Sequence, residues 1–339
     1  MVAQALANPG RLPFLALGEW ARLLRHAQRS QLLARVAASA FGHQADASLP
    51  QQPRLQLERV QQATVRQRQQ RRLDLQDLMR LIAPIGVDVV ALKGTAHWLC
   101  DIGPTNDNQF AELDIWVERA SCERLQALLL AHGWTRADPV TPGEPLQTRW
   151  LGPASGADHS ATTLNLHCQM LPALPCADAG LAQQVAARQA VPDVPGLHVP
   201  APSDMVLCAM AELLHNGHGR HGLRDLSDID VLLRHFGSRP GFWADLAERA
   251  DAMELSRLLY YGLRHSVRLF ATPVPMHVRE SMRAVAPSAR VLRLMDALWS
   301  RVLCTPHSRA RSSITPLCVD LLGVRARWLR AVAAWTRRM

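Results

Sequence analysis

Residues 87–99 read VDVVALKGTAHWL, and this stretch decides the fold class. The run from Val87 to Leu92 is short, β-branched and aliphatic, which suits a buried strand. Lys93-Gly94-Thr95 follows without a spacer, and TAHWLCDI then reads as a helix. A glycine and a hydroxyl residue at a helix start let backbone N–H groups approach an anion. Lys93 is itself singular. The chain has 38 basic residues, of which 37 are arginine and one is this lysine. Lysine is a compact point charge with rotatable donors, whereas arginine is a long planar fork. A position that keeps lysine against such a bias suits a compact cation, as beside a phosphate.

Working outward, LDIWVE (113–118) reads as a second strand and TLNLHC (163–168) as a third, with a β-ribbon around QTRWLG. SCERLQALLLAHGW (121–134) reads as a helix with Ser121 as N-cap and Gly133 as its stop. Glu112-Leu-Asp114 stands at the start of the second strand and Asn165-Leu-His167 lies on the third. Residues i and i+2 of a strand share a face, so Glu112 and Asp114 can aim two carboxylates at one point. Paired carboxylates bind Mg²⁺ together with substrate phosphates. An E-x-D pair alone is commonly a solvated strand end. The weight lies in the order: strand, Lys-Gly-Thr, helix, paired acids, then Asn-x-His.

The flanks are helical. Trp20, Leu23, Leu24, Leu32, Leu33 and Val36 recur at helical spacing in one N-terminal run. Residues 55–82 predict a second helix, its middle polar enough to cross a surface. The proline-rich stretch 171–204 reads as an extended connection. Helices follow at 203–218, 223–236 and 242–270, with a pair between 277 and 306. The expectation is an α+β fold: a helical region (1–83), a small mixed-sheet α/β core (84–170), a proline-rich connection (171–204) and a C-terminal helical domain (205–339).

Composition narrows the class. The chain has 339 residues, 48% of them hydrophobic, enough to fill a core. No apolar run reaches the ~18 residues of a membrane span, and the start lacks the pattern of a secretory signal. Seven scattered cysteines without a C-x-x-C argue against a disulfide framework or a cysteine zinc site, and point to a reducing cytoplasm. The net charge of +9 sits at the two ends, while the middle is acidic. Basic ends suit solvated helix faces or an anionic partner: nucleic acid, an acidic peptide or a membrane surface. The last helix carries Trp328, Leu329, Val332 and Trp335 among arginines, which suits core packing, a membrane surface or a partner groove. His215, His218 and His221 are spaced through a glycine-rich turn, which suits a pocket-lining or surface helix end more than a metal site, and Asp228 and Asp230 lie within a helical pattern rather than a second metal motif.

These motifs, with LLHNGHGRHGLRDLSDIDVLLRHF (213–236), resemble the uncharacterised bacterial nucleotidyltransferase family of the polymerase-β-like superfamily. The resemblance covers most of the chain. It implies a nucleotidyltransferase core in which Lys93, Gly94 and Thr95 bind the phosphates. It implies that Glu112 and Asp114 hold Mg²⁺ (or Mn²⁺), with a nucleoside triphosphate as co-substrate. Glu112, Asp114 and Asn165 occupy the catalytic positions, and His167 matches the histidine after the third acid. Arg220, His221 and Asp228 match the helical-domain motif, with Arg220 and His221 reaching the nucleotide.

The sequence departs from that pattern at three places. Glu112 stands for the first metal aspartate, Asn165 for the third acid, and Asn108 for an upstream arginine. An amide cannot act as a general base, and a displacement of ~1 Å at an in-line reaction can cost ~100-fold. Asp101, Asp107 and Asp158 are candidates to supply a missing carboxylate. The leading expectation is transfer of a nucleoside monophosphate from Mg-NTP to a protein, peptide or small-molecule acceptor. The alternatives are an inactive module that binds a nucleotide or partner, and an RNA- or peptide-processing accessory whose basic ends dock the acceptor.

Overall fold

The computed structural model describes residues 1–42, 49–104, 110–138, 147–153, 161–168, 188–192, 194–215 and 222–304. Its centre is a seven-stranded mixed sheet flanked by helices, the α+β arrangement expected from the sequence. The strands are β1 Val89–Ala91, β2 Leu113–Trp116, β3 Thr135–Arg136, β4 Gln147–Leu151, β5 Thr163–His167, β6 Gln189–Ala190 and β7 Leu197–Val199. They lie in the order β3-β4-β5-β2-β1-β7-β6. β1 pairs antiparallel with β2 and parallel with β7, and β2 pairs parallel with β5.

The two faces of the sheet have separate apolar contacts. Val89, Ala91, Leu113, Ile115, Leu164 and Leu166 join the main core. Val90, Leu92 and Trp116 point the other way and form a small cluster of their own, with Cys208 packed on it. Strand alternation makes this division, because neighbouring residues face opposite sides. The second face also carries Asp114, Asn165 and His167. Among the described residues it therefore holds buried polar chemistry beside a small apolar cluster of three side chains.

The N-terminal helices are α1 Val2–Ala7, α2 Leu17–Arg29, α3 Leu33–Gly42 and the 32-residue α4 Gln51–Ile82. α4 buries Pro53 and Leu57 near one end and Leu75, Leu78, Met79 and Ile82 near the other. Each fully buried leucine contributes roughly 1.5–3 kcal/mol, so the two ends anchor the helix. Its polar middle spans the surface between them, as the sequence suggests. That middle also grips the core. Arg68 Nη2 donates to the Trp98 carbonyl (3.2 Å) and pairs with Asp101. Arg71 Nε donates to the Phe110 carbonyl (2.9 Å), two residues before Glu112.

Beyond β1 come α5 Lys93–Leu99 and α6 Arg119–Ala131. The C-terminal helices are α7 Pro202–His215, α8 Gly222–Phe236, α9 Phe242–Ala252, α10 Ser256–Phe270, α11 Met276–Ser281 and α12 Ala289–Cys304. α7 lies along the second sheet face, where Cys208 meets the small cluster and Glu212 reaches Lys93. No helix among the described residues is long and apolar enough to cross a membrane.

Several local readings need correction. The single N-terminal run breaks at Gln31, whose φ is 57°. The run 242–270 is two helices, separated near Glu254 at φ 56°. Neither break has a glycine or proline to announce it. α6 starts at Arg119, so Ser121 lies in its first turn and Glu118 takes the N-cap position; Gly133, at φ 79°, follows the helix as expected. β6 and β7 fall inside the stretch read as an extended connection, and β7 completes the sheet beside β1. Cys122 and Cys168 form a disulfide with Cα atoms 6.2 Å apart, so the cysteines are not all free as their spacing suggests. The sheet brings the end of β5 to the first turn of α6, a proximity that sequence separation conceals. The basic C-terminal helix (317–339) lies outside the described residues.

Candidate active site

The site begins with backbone geometry. Lys93 follows β1 at once and has φ 49°, in the left-handed region that favours glycine. Holding a non-glycine residue there costs on the order of 1–3 kcal/mol. The surrounding contacts keep it in place. The Leu92 N–H donates to the Asp114 carbonyl (2.9 Å), and the Asp114 N–H donates to Thr95 Oγ1 (2.9 Å). Thr95 is fully buried. Its hydroxyl oxygen therefore ties α5 to β2 and sets the position of Asp114.

Strand register brings the remaining groups together. Asp114 is opposite Asn165 in the β2–β5 pairing, and Asn165 is opposite Arg149 in the β5–β4 pairing. Asn165 Nδ2 donates to Glu112 Oε2 (2.5 Å) and to Asp114 Oδ1 (3.2 Å). Arg149 Nη2 donates to Glu112 Oε1 (2.6 Å), and its Nε lies 3.4 Å from Asn165 Oδ1. His167 Nε2 lies 3.0 Å from Asp114 Oδ1. Lys93 Nζ is 3.8 Å from Asp114 Oδ1 and 3.1 Å from Glu212 Oε1.

The electrostatics separate the two acids. Burial alone pushes Asp114 up, but the hydrogen bond from His167 and the charge of Lys93 outweigh it and hold the carboxyl below the ordinary aspartate value. Asp114 is thus ionised, and His167 donates through Nε2–H. The Nδ1 of His167 is buried and has no hydrogen-bond partner among the described residues. Burial pulls Lys93 down, but Asp114 and Glu212 together raise it above the ordinary lysine value, so it stays charged. His97 on α5 is buried, and desolvation lowers its pKa against the opposing pull of Asp228 and Asp114. Glu112 is more accessible, with 32% of its side chain exposed against 12% for Asp114.

Two carboxylates plus substrate phosphate oxygens are a common way to hold Mg²⁺. Glu112 and Asp114 fit one hard cation by that chemistry. Among the described residues, no group of three His, Cys, Asp or Glu side chains is placed to hold a metal. The third position offers the Asn165 amide, whose N–H points at both acids in this arrangement. The set therefore fits a single ion and lacks the third carboxylate of a two-metal site.

Lys93, Glu112, Asp114, Asn165 and His167 all converge, with Gly94 next to Lys93 in the first turn of α5. Arg220 and His221 lie outside the described residues, as do Asn108, Asp107, Asp158 and His218. Asp101 is paired with Arg68 on α4. Asp228 and Asp230 are helical, within α8. Sequence reasoning missed Arg149 and Glu212. Neither stands in a motif: a strand pairing delivers the first and a helix packing the second.

The family described as "Uncharacterised nucleotidyltransferase" matches residues 17–271, three quarters of the chain. The chain belongs to this family. The matched region contains every strand among the described residues and the whole Lys93–Asp114–Asn165 cluster. No curated protein and no solved structure matches. Membership in a nucleotidyltransferase family supports nucleoside monophosphate transfer in general and a nucleoside triphosphate as substrate.

Proposed function

We propose that the cluster around Asp114 is a nucleotide site of the polymerase-β type. It transfers a nucleoside monophosphate from a nucleoside triphosphate to a hydroxyl acceptor on a protein, peptide or small molecule. The observation that carries this reading is the convergence of the chain's one lysine, on a left-handed backbone, with an ionised, buried Asp114 and the adjacent Glu112.

Each residue has a task. Lys93 neutralises triphosphate oxygens as a compact charge. Thr95 and the Asp114–Asn165 register fix Asp114, and His167 Nε2–H keeps it ionised. Glu112 and Asp114 would hold a Mg²⁺, which would supply charge neutralisation on the phosphates. The acceptor oxygen attacks the α-phosphorus, the bond to the β-phosphate bridging oxygen breaks, and pyrophosphate leaves. The acceptor proton passes to solvent, since Asn165 cannot take it. Positioning and charge carry the catalysis, as they do generally in phosphoryl transfer.

The test is incubation with each labelled triphosphate and Mg²⁺ or Mn²⁺, scored by pyrophosphate release and label transfer to candidate acceptors. Release that disappears in Asp114→Ala supports the reading. Triphosphate binding without release, for every nucleotide, metal and acceptor tried, favours the second reading. That reading is a nucleotide-binding module without catalysis, and Asn165 at the general-base position is the observation in its favour.

A further inference from the structure

The Arg149–Glu112 contact is not explained by holding the fold together. Arg149 is half-exposed, with 47% of its side chain accessible, and Glu112 is 32% exposed. Exposed ion pairs typically contribute only ~0–1 kcal/mol. Yet this pair engages the more accessible of the two proposed metal carboxylates. With Asn165 Nδ2 on the other oxygen, both Glu112 oxygens already accept a hydrogen bond. Asp114 differs: its contacts from His167 and Asn165 both fall on Oδ1.

We infer that Arg149 is the resting occupant of the cation position beside Glu112, and that a triphosphate draws it away to open that position to the metal. This rests on the nucleotide-site reading above. A guanidinium fork matches phosphate oxygens as well as it matches a carboxylate, and forms bidentate contacts with them. Exchange of Glu112 for phosphate therefore costs Arg149 little. It frees Glu112 Oε1, and rotation of the Asn165 amide then presents Oδ1 to the acids in place of Nδ2. That orientation sets three oxygens together and is stable only with a cation among them. The order of events is nucleotide first and metal second. The backbone of Arg149 stays anchored meanwhile, because its N–H donates to Asp138 Oδ2 (2.7 Å) and β4 remains paired with β5.

The test is Mn²⁺ titration of the full chain without nucleotide, read by calorimetry or by the spin-resonance signal of free Mn²⁺. Coupling between two ligands is commonly ~5–150-fold. Arg149→Met should accordingly bind Mn²⁺ about tenfold more tightly than wild type. Arg149→Lys, which keeps charge but loses the fork, should fall between them, and Glu112→Gln should cancel the gain in the Arg149→Met background. A labelled triphosphate in EDTA should bind Arg149→Met more weakly than wild type. Equal Mn²⁺ affinity in wild type, Arg149→Met and Arg149→Lys overturns the inference, as does a gain that survives Glu112→Gln. If Mn²⁺ behaves as expected but no triphosphate binds either protein in any condition, the nucleotide-site reading fails along with the nucleotide step. The occupancy of Glu112 by Arg149 then stands without it.

Discussion

Two arginine–carboxylate pairs, one in the helical region and one in the site, use the same chemistry in opposite ways. Arg35 on α3 meets Asp230 on α8 with side chains 7% and 0% exposed. Arg35 also donates to the Ser227 carbonyl (2.8 Å) and lies 4.9 Å from the centre of the Phe270 ring. Asp230 further accepts from Arg234 Nε (2.9 Å) and from Thr272. Every charge there has several partners, so the pair joins the N-terminal helices to the C-terminal ones. Arg149 and Glu112 have fewer constraints and more solvent. A buried, multiply bonded pair is costly to break, whereas a half-exposed one can exchange partners.

The largest expected effect comes from breaking the first pair. Asp230→Ala leaves Arg35 buried without its carboxylate, and removing one partner of a buried pair costs about 3–5 kcal/mol. Urea unfolding should show a loss in that range. A loss below about 1 kcal/mol would mean that solvent reaches Arg35 and that the two pairs are alike.

The next effect sharpens the site side of the contrast. Asn165→Asp places a third carboxylate against Glu112 and Asp114. A general base typically contributes ~100- to 10,000-fold, so pyrophosphate release should rise, or begin where wild type shows none. Mn²⁺ affinity should rise too. Metal-free stability should fall at neutral pH, because like charges disfavour joint ionisation, and recover in acid as one carboxyl takes a proton. Unchanged activity and unchanged Mn²⁺ affinity together would detach Asn165 from the proposed metal position.

A third pair lies between these extremes. Arg224 and Asp225 are in contact (2.9 Å), but burial of Asp225 dominates and pushes its carboxyl up to about 7. A folded value above the unfolded one means that ionisation opposes folding. This penalty is absent below about pH 4 and grows as pH rises through 7. Asp225→Asn should therefore match wild type near pH 4 and exceed it by on the order of 1–3 kcal/mol at pH 8. A flat difference between these pH values would show that Arg224 neutralises Asp225 after all.

How much of this was legible depends on whether a contact is carried by a motif or by packing. Lys93, Glu112, Asp114, Asn165 and His167 were readable because each sits at a fixed place in a strand or at a strand end, where period 2 assigns the face. Arg149 was not, since it reaches Glu112 only through the antiparallel register of β4 on β5. Glu212 depends on how α7 lies over the sheet, and Arg35–Asp230 joins residues 195 apart. The strands β6 and β7 are two and three residues long within a proline-rich stretch, too short for a periodic signal. The helix breaks at Gln31 and Glu254 use left-handed backbone at residues with no turn signature.

Lys93→Arg tests whether the lone lysine is a requirement of the site. The substitution keeps the charge, and Glu212 and Asp114 can still be paired. It replaces a compact ammonium, 3.1 Å from Glu212 and 3.8 Å from Asp114, with a longer planar fork on a backbone already in the left-handed region. The fork cannot keep both distances while facing phosphate oxygens. Triphosphate binding should weaken about tenfold, roughly 1.4 kcal/mol. Wild-type affinity in Lys93→Arg would make the lysine an accident of composition.

The smallest expected effect is the stability of Arg149→Met, and its smallness is the point. The pair with Glu112 is half-exposed, so losing it should change unfolding free energy by less than about 1 kcal/mol. The methionine keeps a stem of similar length on β4, and the backbone ladder from β4 to β5 is untouched. Set beside Asp230→Ala, this is the same bond type with a several-fold smaller effect. The protein thus stays folded while its Glu112 carboxylate is exposed, and Mn²⁺ binding to the variant reads the site alone. A loss of 3 kcal/mol or more would instead put Arg149 in the class of Arg35, as a structural clamp. A guanidinium held that firmly could not exchange Glu112 for a phosphate, and the order of nucleotide before metal would have no basis.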